Sequence, residues 1–181
     1  MHPEALKNLV ARAVLRAPTY HPRRSEEKVT DEVVFTVRPA GSGVGEYVKA
    51  LPGGKIEKVD FLSFLPQAII DNPEFTPTIH HLIEASRNAA IRELNEELGE
   101  QVALWAVGLL SFVNVSKNSA GWTTITYAAD LERKPRLEVD PESAGTLWMD
   151  VRRILKGNPT LLSGHLGITR RALAHLDKLK S

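Results

Sequence analysis

Three glutamates, Glu93, Glu96 and Glu97, stand within the octapeptide RELNEELG at 92–99. On a helix, positions three and four apart share a face, so the three carboxylates converge. With Glu93 at zero and about 100° per residue, Glu97 falls at about +40° and Glu96 at about −60°. Ile91, Leu94 and Leu98 fall between about 100° and 160°, a separate apolar stripe suited to a core. Like charges so placed cost roughly 0.2–0.5 kcal/mol per pair unless something offsets them. A hard divalent cation with oxygen ligands would do so. So would arginine: Arg92 is spaced to pair with Glu96 and Arg87 with Glu84, giving a solvated face that needs no ion.

What favours the ion lies upstream. LPGGKIE at 51–57 follows a strand-like run at 46–50, with Pro52 setting a turn. Gly53 and Gly54 permit positive φ and a close approach of backbone to a ligand. Together, LPGGKIE and AAIRELNEELG resemble the signature of the Nudix (MutT-like) hydrolases. That box reads G, five residues, E, seven residues, R-E-aliphatic-x-E-E-x-G-aliphatic. Glu84, seven residues ahead of Arg92, fits its first Glu, and Arg92, Glu93, Leu94, Glu96, Glu97 and Gly99 fit the rest. Two departures stand out. Glu100 replaces an aliphatic residue, and thirty positions rather than six separate Gly54 from Glu84. About 24 residues are therefore read as an insertion at 58–81, in a loop where extra length costs little. Without it, Thr78 would take the glycine's place and LPGGKIE would be left over.

The resemblance implies an α/β/α sandwich with a mixed β-sheet, and hydrolysis of the diphosphate linkage of a nucleoside diphosphate derivative with Mg2+ or Mn2+. It implies Glu93 and Glu97 as direct metal ligands, Glu96 shared or bridging, and Gly53 offering its backbone carbonyl. Glu84 and Arg92 would pair to hold the glycine turn, Gly54 included, against the helix. Gly99 would stop that helix in the left-handed conformation. A later loop would supply a further carboxylate as metal ligand or general base. Glu142, six residues ahead of Trp148, is the candidate, with Glu138 and Glu132 in reserve. Trp122, Tyr127, Tyr47 and Phe112 are available to stack on a nucleobase. The window 114–118 lacks the proline or tyrosine that marks ADP-ribose or dinucleoside polyphosphate preference in some subgroups. Two other classes compete: a Nudix-fold module that binds a nucleotide without cleaving it, and a helical face that meets a basic partner. The presence of all three acids favours hydrolysis.

Composition bounds the rest. The 181 residues suit one domain, and 43% hydrophobic residues argue against disorder. With 23 Lys and Arg against 22 Asp and Glu, nothing signals nucleic-acid binding. The absence of cysteine excludes disulfides, thiolate catalysis and Cys-ligated zinc. No apolar run suits a bilayer, so a cytoplasmic protein with a small-molecule, nucleotide-type substrate is expected.

An amphipathic helix at 3–15 docks through Leu6, Leu9, Val10, Ala13 and Val14; its basic, acid-poor character also fits a transit peptide. A polar loop with Pro18, Pro22, Arg23 and Arg24 follows at 18–28. Strands come at 31–38 and 46–50, joined by a turn through Gly41, Ser42 and Gly43. Runs at 102–115 and 122–131 form a hairpin. A short strand at 146–149 enters a helix at Asp150, and a last helix at 164–180 offers Ile168, Leu173, Leu176 and Leu179 to the core. The 58–81 segment carries Phe61, Phe64, Phe75, Leu62, Leu65, Ile69 and Ile70, too apolar for a solvent loop. Packing on its own domain is expected first and a homodimer contact second, with His80 and His81 solvating the helix entry.

Overall fold

The structure is a computed structural model describing residues 1, 6–21, 24–39, 48–138, 143–157 and 161–181, with backbone alone at 21 and 24–29. Glu142, Tyr47, Pro22, Arg23 and the turn at 41–45 therefore lie outside the described residues.

Where a helix was expected at the start, the chain runs as strand β1 (Leu9–His21). It pairs antiparallel with β2 (Arg24–Val37), so the connector expected at 18–28 is largely ladder, with register irregularities between Thr19 and His21. On its other edge β1 runs parallel to β5 (Thr123–Asp130), from Leu9 opposite Thr123 to Arg16 opposite Asp130. The reason is burial on both faces: Ala11, Ala13, Leu15 and Ala17 face one core, and Val14 the other. Such a strand reads as a near-continuous apolar run, which a helical template also fits. Arg16 is buried and paired with Asp130 and Asp177.

β3 (Lys49–Ala50) and β6 (Gly145–Asp150) join β2, and β4 (Ser111–Lys117) joins β5, all antiparallel. The sheet order is β3-β2-β1-β5-β4, with β6 also on β2. α2 (Ile79–Leu98) and α3 (Glu100–Val107) cover one face through Ala85, Ala89, Leu94, Leu98, Val102 and Ala106. α4 (Val151–Leu155) and α5 (His165–Lys180) cover the other through Ile154, Ile168, Ala172, Leu173 and Leu176. This is the expected three-layer sandwich with a mixed sheet. Leu179, expected in the core, is 63% exposed near the end of α5. The strand expected at 102–115 is divided: α3 occupies its first part and β4 its last.

The 58–81 segment folds back on the domain. It forms a 3-10 turn (Lys58–Phe61), the short helix α1 (Gln67–Asp71) and the entry to α2. Phe61 and Ile70 are fully buried, with Leu65 and Phe75 packed beside them. Thr78 caps α2 reciprocally with His81, so that histidine serves helix entry. No described helix is long and apolar enough to cross a membrane.

Candidate functional site

The glycine turn is fixed to β1 before the acidic helix meets it. The N–H groups of Ala11 and Ala13 donate to the carbonyls of Gly54 and Pro52 at 2.9 and 3.0 Å, and the Ile56 N–H donates to Leu9. Residues 52–56 thus run along β1 beyond the point where β2 leaves it. Gly53 has a φ of 133°, and a Cβ there would fall on the Ala11 carbonyl, so only glycine fits. A Cβ on Gly54 would fall among the Glu93 carboxylate atoms. The Gly53 N–H donates to Glu97 Oε2 at 2.9 Å. Turn and helix are therefore in direct contact at Glu93 and Glu97, as the resemblance implied.

Arg92 clamps that contact. It donates to Asp60 Oδ1 at 3.1 Å, to the Lys55 carbonyl and Glu93 Oε1 at 2.9 Å, and to Glu96 Oε2 at 3.1 Å. Burial works against its charge, but the bonds to Asp60 and Glu93 outweigh this and raise its pKa. Asp60, 4% exposed, also accepts from the Glu57 N–H, and its carbonyl accepts from Asn88. The partner expected at Glu84 is thus Asp60. Glu84 is exposed, and Arg87, offered to it at i,i+3, donates to the Val107 carbonyl. The signal for Asp60 was legible: it stands six residues after Gly54, the spacing the box gives its first Glu.

Burial pushes the Glu97 carboxyl up to about 7, and burial likewise raises that of Glu93. The Glu96 side chain is 54% exposed and paired with Arg92. Among the described residues, no three His, Asp or Glu side chains are gathered into a ready chelate. The Gly53 carbonyl, expected to face a metal, accepts instead from Arg12 of β1, which also bonds the Leu51 carbonyl. Arg38 stands 4.0 Å from Glu97. Two desolvated carboxylates one helical turn apart remain a fitting oxygen donor pair for a hard divalent cation. Arg12 and Arg38 stand beside that pair and offset part of its negative charge. Gly99 ends α2 at a φ of 99° with extended ψ, a glycine-only conformation rather than the expected left-handed helical one.

These groups line a cavity of about 1580 Å³, above the ~300–1,000 Å³ usual for small-molecule sites. Glu93, Glu96, Glu97, Gly53 and Gly54 share it with Arg12, Arg38, Lys55, Lys117 and Arg171. Trp122 forms part of its wall, with Lys55 Nζ 6.0 Å from the ring centroid. Asn114 also lines it, and its buried Oδ1 has no partner among the described residues. Of the other stacking candidates, Tyr127 is core, hydrogen-bonded to Ser86 and the Ile83 carbonyl, and Phe112 packs edge-on against it. Neither lines the cavity. Glu138 lies against Gly99, and Glu132 is exposed; both are also outside the lining. Ser143, the residue after Glu142, does line it. The arginines and His165 went unread because their positions depend on β1 and α5 meeting across the sheet.

No family profile matches the chain, and none of the curated proteins compared matches it. Solved structures do. A mutT/nudix family protein from Listeria innocua is 16% identical with a TM-score of 0.62, covering 96% of each chain. The NUDIX domain of Shewanella oneidensis NrtR, solved with ADP ribose, is 18% identical with a TM-score of 0.57, covering 97% of this chain and 94% of that one. A C. elegans Ap4A hydrolase is 12% identical with a TM-score of 0.53, covering 94% and 98%. This chain has the Nudix fold.

Proposed function

We propose that this protein is a Nudix-type hydrolase that cleaves the diphosphate linkage of a nucleoside diphosphate derivative. The observation that carries this reading is the contact of Glu93 and Glu97 with the Gly53–Gly54 turn inside a cation-lined cavity. Glu93 and Glu97 would hold Mg2+ or Mn2+, with Glu96 within reach if Arg92 lets go of it. Such an ion, when bound, neutralises phosphate oxygens and lowers the pKa of attacking water. The chain's own groups do the rest. Arg12, Arg38, Lys55 and Lys117 offset the charge of the diphosphate. Trp122 offers a flat face to a base or sugar. Asp60 and Arg92 keep the glycine turn against α2 and act on the reaction only through that positioning. Glu142 is retained as the proposed general base because its neighbour Ser143 borders the cavity. The extra residues of the box are placed after Asp60, with α1 and the approach to α2. A homodimer through the outward side chains of that segment and a cytoplasmic location remain part of the proposal.

The relatives solved with ADP ribose or described as an Ap4A hydrolase support a nucleotide-type ligand. The test is a panel of nucleoside diphosphate derivatives with Mg2+, Mn2+ or EDTA, with products identified by mass. Metal-dependent release of two phosphate-bearing products from one member is expected; no turnover of any member with either ion would refute it. One observation favours a second reading, a binding module: Arg12 and Arg92 already satisfy Gly53, Glu93 and Glu96 without an ion. Saturable nucleotide binding in EDTA with no turnover on adding metal would select that alternative.

A further inference from the structure

The wall of the cavity facing away from α2 is made by the start of α5, where some donors meet no acceptor among the described residues. Gly164 caps α5 with a φ of 83° and offers no side chain. The His165 N–H donates to Leu162 and that of Ile168 to Gly164. Among the described residues, the N–H groups of Leu166 and Gly167 meet no acceptor. They carry the positive end of a 16-residue helix.

His165 is the independent observation. It is 6% exposed and lines the cavity. Its Nδ1 accepts from the Leu51 N–H at 2.8 Å, which fixes the tautomer and puts the proton on Nε2. Leu51 is fully buried and is not a lining residue, so the Nδ1 edge points into the protein. The Nε2–H has no partner among the described residues. Burial, with Arg12 and Arg38 near, pushes the imidazole down to about 3, so it stays a neutral donor. Arg171 lies over Gly167, its Nη1 3.5 Å from where a Cβ would stand. Main-chain donors, one imidazole N–H and a guanidinium meet here. Such a set suits an anion rather than a nucleobase, whose edge carries donors as well as acceptors.

We propose that His165, the α5 N-terminus and Arg171 form a second anion subsite, taking a phosphate group of the substrate other than the diphosphate under attack. The word substrate rests on the hydrolase reading; phosphate capture does not. The Leu51 N–H binds His165 and the Gly53 N–H binds Glu97, so one short stretch of backbone anchors a residue on each wall of the cavity.

The test is an NMR titration of the full-length, metal-free chain with inorganic phosphate. Saturable shifts of the Gly167 amide and of the His165 Nε2–H are expected. Arg171→Gln, at an exposed position, should weaken them about tenfold or more with the spectrum otherwise retained. His165→Gln should do the same if it folds. Glu97→Gln should leave these shifts in place, so a failure of the hydrolase reading, seen as absent turnover, is distinguished from a failure here. Shifts that do not saturate, that ignore Arg171→Gln, or that adenosine without phosphate reproduces would overturn the proposal.

Discussion

The cavity's two walls solve opposite problems. The α2 wall concentrates carboxylates and is crowded with partners: Arg92 holds Glu93, Glu96 and Asp60, while Gly53 donates to Glu97. The α5 wall gathers donors that meet no acceptor among the described residues, at His165 Nε2 and the Gly167 N–H. The first wall is written in side-chain identity and spacing, the second mainly in backbone and one fixed tautomer. A site can therefore be half visible in a sequence: a run of acids at helical spacing announces itself, and helix ends do not.

The largest effect should come from Glu97→Gln, which is expected to lower metal-dependent turnover by orders of magnitude while circular dichroism and the melting curve stay near wild type. Near-normal rates would remove Glu97 from the α2 wall's chemistry. Next comes the clamp. Asp60→Ala removes the most buried carboxylate that Arg92 pairs with and should cost about 3 kcal/mol in urea unfolding. Glu84→Gln, at an exposed position, should stay within about 0.5 kcal/mol. Equal costs would restore the Glu84 pairing and break the account of that wall. Gly53→Ala meets both a glycine-only φ and the Ala11 carbonyl, and should lower stability by about 1–3 kcal/mol.

The smallest effect, and the sharpest contrast, is in pH. Burial raises Glu97 to about 7, above its unfolded value near 4.3, so the unfolded chain ionises first as pH rises. Its contribution to stability falls between about pH 4.3 and 7. Burial lowers His165 to about 3, below its unfolded value near 6.5, so its contribution falls as pH drops through that range. The two slopes oppose each other in metal-free protein. Glu97→Gln should expose the loss on acidification, and His165→Gln the gain; melting curves from pH 4.5 to 7.5 read both. Variants with slopes of the same sign would show that the walls do not differ as described.

Much of this was legible in the chain. LPGGKIE and RELNEELG foretold the turn, the acidic helix and their contact, because glycine permissiveness and helical spacing are local properties. β1 was not legible: in LVARAVL, alternating alanines beneath a central sheet satisfy a helical stripe equally well, and only pairing with β2 and β5 decides. The run after Gly99 failed similarly, since a short apolar stretch does not distinguish helix from strand. Asp60 was missed for a different reason. An identical residue at Glu84 drew attention from a shorter acid that kept the right distance from Gly54. Arg12 and His165 became visible only when remote segments met.

Leu51 and Gly53 use their amides on opposite sides of the cavity, one on an imidazole and one on a carboxylate. A bend at Pro52 lies between these two amides. Any change that shifts it would disturb the imidazole of one wall and the carboxylate of the other together, so the opposed halves of the cavity share a single hinge of main chain.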